Sequence, residues 1–569
     1  MSLQLFDLND DVLYHIANEL HGADALKFSL ASKRSYGLAI HRIPAIVWLR
    51  REDLDKLPLH RRYLLNGPKP RAQHIEQLVF RVDFGRYHEL VDPQAPESEA
   101  VAFFVDLISN APNLRRLTLP ETSRLIQRHP RLKDSLLRLH KLSRVEFDGV
   151  GTGPALDVLR STGCSNLRVL SLGYFEEFPG SHYNVTHVPH PWAPLLDVLA
   201  AFPRLHTLRI LSFYTNLSID NIGEATSPTF PSLRELFICS SSSTTLDLAY
   251  LMPNLQTLEY KTIHVPVPPS RNGPAFSALR SLMFDSSTSL SRCCAEERLS
   301  NAYHLRIAFP ILCHEPDTDP EQAEQTRLIM TAFRKVSPVF AEIGLTVGSH
   351  PMEFWRQIAV DVPRLRYLEL RVHLARVDAA HASWLDNIPG ALASLPLVGL
   401  RLHLSEMPGV DLQMINAGRW HTSDNLIYGP SKAVAKQLYD ARVKALKTLP
   451  RQLANAIQSL KVVAIADGQS DLDYDGTPPF ASPRGAKKVT ARRAPIRSSR
   501  MDMDEYANQN IWCREPVMAL KWWRIVRDGD EIVRMDALRA KQGSRVQRFF
   551  EESDLETLDR TVDRFISEL

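Results

Sequence analysis

Gly149, Gly151 and Gly153 follow a strand-like segment and precede a helix-like one, the setting in which a glycine-rich loop cradles a dinucleotide pyrophosphate. The third glycine of such a loop would fall on Pro154, and the unit sits within a repeat array, so the segment reads as a turn. Asp471, Asp473, Asp475 and Gly476 match the opening of a calcium loop, yet the position of the bidentate glutamate is Ser482 and Pro478 and Pro479 intervene. An acidic linker accounts for it better. Cys293 and Cys294 with Cys313 and His314 have zinc-binding side chains, but adjacent cysteines are poor partners in a tetrahedral site. The histidines form no His-x-x-x-His or Glu-x-x-His array, and no serine sits in a Gly-x-Ser-x-Gly elbow. The expectation is a chain that performs no catalysis and needs no cofactor, no metal and no small-molecule substrate.

What repeats instead is a phrase of three apolar residues: PNLRRLTL at 112–119, SNLRVLSL at 165–172, PRLHTLRI at 203–210, PSLRELFI at 231–238, PNLQTLEY at 253–260, SALRSLMF at 277–284 and PRLRYLEL at 363–370. The last two apolar residues lie two apart, the side-chain period of a strand. A short strand with one apolar face cannot bury it alone, so copies must stack into a solenoid. The first apolar residues are Ile75, Leu114, Leu142, Leu167, Leu205, Leu233, Leu255, Leu279, Leu365, Leu397 and Ile457; from Leu114 to Leu279 the spacings are 28, 25, 38, 28, 22 and 24. Val101, Phe104, Val105 and Ile108, and Leu195, Val198, Leu199 and Phe202, have helical spacing between phrases. Strand then helix, repeated, predicts parallel strands with right-handed crossovers. Pro112, Pro203, Pro231, Pro253 and Pro363 end the helices and hand the chain to the strands. The weakest stretch is 285–362, where only YHLRIAF at 303–309 looks like a strand; it reads as an insertion or a degenerate pair of repeats.

The chain has 569 residues, 44% hydrophobic and 23% charged, with a formal charge of +3, too balanced to make nucleic acid or anionic membrane its main partner. Six cysteines without paired spacing suit a reducing compartment. No membrane-length apolar run is present, and Asp7, Asp10 and Asp11 replace the basic start of a secretory signal. A cytoplasmic or nuclear location is expected, and the sequons at Asn184 and Asn216 then read as chance.

The first 45 residues differ from the rest. Asn9 or Asp10 can cap a helix whose Val12, Leu13, Ile16 and Leu20 form one stripe, Gly22 suits its end, and Asp24 and Ser32 can cap two further short helices. Leu8, Asp10, Val12, Leu13, Ile16 and Leu20, then Asp24-Ala25-Leu26, Ser29-Leu30, Ser32-Lys33-Arg34 and Leu38, resemble an F-box. Two departures are Asn9 in place of the usual proline and the missing tryptophan near Tyr36. The pairing with leucine-rich repeats resembles the fungal-type substrate receptors of SCF ubiquitin ligases. That resemblance implies docking to a Skp-type adaptor, and through it a cullin, by Leu8, Val12, Leu13, Ile16, Leu20, Leu26 and Leu30. The repeats would hold an unidentified target protein. The other reading is a scaffold whose amino-terminal helices only cap the solenoid.

If the phrase leucines point inward, the residues between them form an outward sheet face, with Arg116, Arg209, Phe237, Glu259, Met283, Tyr367, Glu369 and Arg401 as candidate target contacts. The fold class expected is α/β: a helical module at 1–45, a linker or helical connection at 46–74, and an irregular leucine-rich-repeat solenoid with outer helices at 75–465. An acidic-then-basic loop at 466–510 and a carboxy-terminal element at 511–569 follow. Seven basic residues between Arg484 and Arg500 read as a solvated loop or an import signal. ALKWWRIVRDGDEIVRM reads as a hairpin across Asp528-Gly529, with a closing helix through Phe549 and Phe550.

Overall fold

The computed structural model describes residues 8–20, 22–67, 71–81, 96–150, 153–174, 190–191, 193–212, 217–218, 228–240, 243–262, 279–284, 290, 302–312, 320–346, 352–373, 380–404, 447–467 and 519–569. The chain divides into two compact units, Met1–Ala278 and Leu279–Leu569. Among the described residues no helix is long and apolar enough to cross a membrane.

The first unit opens with three short helices, α1 (Asp10–Glu19), α2 (Gly22–Ser29) and α3 (Lys33–Ala39). The Asn9 carboxamide accepts the Val12 N–H at 2.9 Å, and Ser32 and Ser35 cap α3 reciprocally. Seven parallel pairings follow, through β1 (Ile46–Arg50), β2 (Gln77–Arg81), β3 (Arg116–Leu119), β4 (Arg144–Phe147), β5 (Val169–Gly173), β7 (Thr207–Ser212), β9 (Glu235–Ser240) and β10 (Thr257–Thr262). A small separate pair, β6 (His190–Pro191) and β8 (Leu217–Ser218), is also parallel.

The register explains why the phrases stack. Leu78, Leu117, Val145, Leu170, Leu208, Leu236 and Leu258 form one continuous row across the strands, all within 1% of full burial. Helices between the strands seal that row; Phe104 of the helix Pro96–Ser109 meets Phe80 at 4.6 Å between ring centres. At the end of β4 the chain turns at Gly149, whose φ is +61°, and a side chain there would come within 2.8 Å of the Glu121 backbone. Gly149 thus sits in a tight turn of the repeat.

The second unit carries β11 (Ser281–Phe284), β12 (His304–Leu312), β13 (Phe340–Thr346), β14 (Tyr367–His373), β15 (Gly399–Leu404) and β16 (Val462–Asp467), all parallel. An antiparallel hairpin, β17 (Ala519–Asp528) and β18 (Glu531–Leu538), adds to β16 and turns at Gly529. Two helices, Ala540–Glu552 and Leu555–Ser567, end the chain.

Several boundaries move. The segment 46–74 contains β1, paired along its whole length with β2, so the repeats begin directly after α3 and not at 75. The stretch 285–362 contains two strands, each followed by a helix, Pro320–Val336 and Met352–Asp361, which makes it a pair of repeats and not an insertion. The last phrase is offset: Gly399 pairs with Val462, so the equivalent of Leu397 is Leu460 and not Ile457. The zinc candidates Cys293, Cys294, Cys313 and His314, the calcium-like aspartates and the basic run lie outside the described residues.

Candidate interaction surfaces

The amino-terminal bundle has a core of small residues. Leu13, Ala17, Ala25 and Ala39 are fully buried and Ser29 and Ser35 nearly so, which lets the three helices approach closely. Leu13 was expected to face a partner, but it is 0% exposed and holds the bundle together. The other aliphatic residues of the stripe lie outside that core: Leu30 is 76% exposed, Leu26 46% and Val12 42%, while Leu8, Ile16 and Leu20 are half-buried. Tyr14 and Tyr36, which the sequence did not single out as contacts, are also exposed. A module this small leaves a ridge of large apolar side chains in water.

Among the described residues the outward face of the first unit's sheet also carries exposed side chains, although Val79, Ser171 and Thr207 on it are buried. One row runs Ile46, Gln77, Arg116, Arg144, Val169, Thr207, Glu235, Thr257, and the next Trp48, Val79, Thr118, Glu146, Ser171, Arg209, Phe237, Glu259. Arg116 and Arg209 are exposed, and Phe237 and Glu259 half-buried. Arg209 lies over the Phe237 ring at 4.5 Å, and Glu259 pairs with Lys261 at 3.1 Å. At the β1 end, Trp48, Arg81, Arg116 and Arg144 line a recess of about 200 Å³, below the size of a drug-like ligand pocket.

The same face of the second unit is closed. Its first outward row is His304, Phe340, Tyr367, Gly399 and Val462, and the two terminal helices lie on it. Phe550, Val546, Leu558, Val562 and Ile566 pack with Phe340, Tyr367, Val462 and Trp522 in one core cluster. The fit depends on two glycines: a side chain at Gly399 would meet the Tyr367 ring at 2.5 Å, and one at Gly543 the Trp522 ring at 2.3 Å. The Tyr303 hydroxyl donates to the Phe550 carbonyl at 2.8 Å, Arg366 pairs with Asp559 at 3.0 Å, and Lys461 pairs with Asp563. Tyr367 packs in that cluster and Glu369 and Arg401 are buried beside it, so these residues, named from sequence as target contacts, are not a free surface; Met283, also named, is buried too.

Beneath the edge of this cover the second outward row carries charge. Arg306 meets Glu342 at 2.9 Å, Arg371 meets Glu342 at 2.6 Å and Glu369 at 3.1 Å, and Arg401 meets Glu369 at 3.4 Å. The Arg401 guanidinium also donates to the side-chain oxygen of Gln547, on the covering helix, at 2.8 Å. Burial, then the neighbouring Glu369 charge, pushes the Glu342 carboxyl up to about 7. Burial also works against the charged form of Glu369, but the His403 contact and the Arg401 and Arg371 charges outweigh it and hold that carboxyl well below the usual range. Burial lowers His304 to about 4 and lowers His403 as well. Three arginines and two carboxylates bonded mainly to one another form a polar layer between sheet and helix. Among the described residues no group of histidine, cysteine and carboxylate side chains could hold a metal ion.

No family model matches this chain, and no curated protein matches it. Among solved structures it is similar to the leucine-rich repeat-containing protein LegL7 from Legionella pneumophila, at 13% identity over 69% of this chain and 91% of that one, with a TM-score of 0.29.

Proposed function

We propose that this chain is a non-catalytic substrate-recognition subunit of an SCF-type ubiquitin ligase in the cytoplasm or nucleus, with an F-box-like bundle followed by leucine-rich repeats. Leu26, Leu30, Val12 and Tyr36 would seat in an apolar groove of a Skp-type adaptor, while the open face of the first unit holds the target protein. The chain would then act by proximity, raising the concentration of target lysines near a conjugating enzyme carried by other subunits. The observation that carries the reading is the exposed aliphatic ridge, above all Leu30 at 76% exposure, which the bundle's own core does not use.

The test is co-purification with the adaptor. Leu26→Asp with Leu30→Asp should abolish the association while shifting stability by no more than about 0.5 kcal/mol, as expected of exposed positions. Retained association sinks the docking assignment. Leu13→Asp is the wrong probe, because it would place a charge in the bundle core and unfold the module.

A second reading is that the bundle only caps the repeats. It is favoured by Arg42, buried just after α3, whose guanidinium reaches Glu76 beside β2 at 2.8 Å. On that reading, deleting residues 1–45 unfolds the first unit; on the docking reading it removes the adaptor and leaves the strands protected from hydrogen exchange.

A further inference from the structure

The open face of the first unit is not uniform in charge. Towards β10, Glu235 accepts from Thr207 at 2.8 Å, Glu259 is matched by Lys261, and Arg209 is stacked on Phe237. Towards β1, cations dominate. Arg50 and Arg81 lie over the Trp48 ring at 5.0 and 5.3 Å, and Arg116 is exposed at the rim of the recess. The recess contains three arginines against one carboxylate, Glu146. That carboxylate is already engaged, accepting from Arg144 at 2.7 Å and from Thr118 at 3.0 Å. Among the described residues no carboxylate pairs with Arg81 or Arg116.

The geometry points to an extended, acidic segment of a partner protein as the occupant of this end of the face, with one aspartate or glutamate side chain seated between Arg81, Arg116 and Arg144. This rests on reading the face as the target surface and adds the chemistry of the target. Each feature fits that occupant. Arginine presents a planar fork suited to carboxylates, and Trp48 holds the Arg81 guanidinium without neutralising it. Neighbouring strands lie about 4.8 Å apart, so the span from β1 to β4 is roughly 14 Å, matched by four or five residues of extended chain. A nucleic-acid strand fits less well: its charge continues past the arginines and would run against Glu235 and Glu259, and the chain carries a formal charge of only +3.

The experiment is fluorescence anisotropy on the full-length protein with a labelled hexaglutamate peptide, a hexaglutamine control and a single-stranded RNA of similar length. Hexaglutamate should bind, weaken with added salt, and lose about tenfold in affinity with Arg116→Glu. Arg116→Gln, which removes the charge without reversing it, should give a smaller loss in the same direction. Arg209→Gln, at the balanced end, should change affinity by less than about twofold. Equal binding of hexaglutamine, no effect of either Arg116 variant, or tighter binding of the RNA would each overturn the proposal. Leu26→Asp with Leu30→Asp separates this claim from the ligase reading, since it should leave hexaglutamate binding unchanged. Adaptor docking that fails while hexaglutamate binding obeys these rules removes the ligase and keeps the acidic segment.

Discussion

The two units use one strand pattern and differ in what lies on the outward side of it. In the first, the residue that begins each strand is Arg116, Arg144, Val169, Thr207, Glu235 or Thr257, and among the described residues this row runs from exposed Arg116 to buried Thr207. In the second, the same register position is Phe340, Tyr367, Gly399 or Val462, and two helices from the end of the chain lie on it. One face keeps charged side chains such as Arg116 and Arg209 exposed; the other is a second core. The difference teaches that a repeat face cannot be assigned to a partner from its leucines alone, because the outward residues decide whether it is open or already taken.

The largest effect should come from emptying the closed face. Phe340 is 1% exposed and its ring lies 4.2 Å from His304 and 4.6 Å from Tyr367. Phe340→Ala should cost about 3–5 kcal/mol, the usual range for a buried phenylalanine, and the loss should appear in the second unit. Hydrogen exchange read peptide by peptide checks this. Faster exchange in β13–β15 and in the helix Ala540–Glu552 together is the expected result. If the strands stay protected while only the helices loosen, the cover is a docked accessory and the two faces are more alike than described.

Much of the strand framework was legible in the sequence, whereas the contrast between the two faces was not. Ten of the eleven phrase-leading residues stand two places before a strand, and the hairpin forms, with its two-residue turn at Gly529-Asp530, one place beyond the Asp528-Gly529 expected. Strands β1 and β13 were not legible, because IVWLR and FAEIGLT lack the leading aliphatic residue that marks most of the others. The closed face did leave a signal: Val462-Val463-Ala464-Ile465-Ala466 is a continuous apolar run, as expected of a strand buried on both sides, where an open face gives alternation. Leu558, Val562 and Ile566, four apart, marked the helix that covers it. What no spacing rule supplies is which sheet a terminal helix will choose. That depends on non-local fit, here the space left at Gly399 and Gly543. Arg306, Glu342, Arg371 and His403 were missed because strands far apart in sequence bring them together.

A second, smaller effect sharpens the comparison through pH. The Glu342 carboxyl, ordinarily near 4.5, sits at about 7 in the folded chain, so between those values the folded state keeps a proton that the unfolded state has released. Stability from this group is full below about pH 4.5 and is lost as pH rises towards 7. His304, lowered from 6.5 to about 4, acts in the opposite sense, since its contribution grows as pH rises through that interval, and the lowered His403 does the same. The net profile is therefore shallow, and Glu342→Gln isolates the falling component. Wild type should lose up to about 3 kcal/mol relative to the variant between pH 4.5 and 7. Urea unfolding at a series of pH values measures it, and a flat difference would mean that water reaches the carboxyl and the cover is loose.

The smallest effect belongs to the open face. Phe237 points outward from β9 as Phe340 does from β13, but its ring is half-buried and its partner is the Arg209 guanidinium at 4.5 Å. Removing a partly hydrated ring forfeits little transfer energy, and an exposed cation–π contact contributes about 0.5–1 kcal/mol. Phe237→Ala should therefore cost about 1 kcal/mol in urea unfolding, several times less than the same truncation at Phe340. The value of the pair is that the truncation and the outward direction are the same, while the ring's neighbours and the covering helices differ. A cost at Phe237 as large as at Phe340 would mean that this face, too, is covered in the native protein.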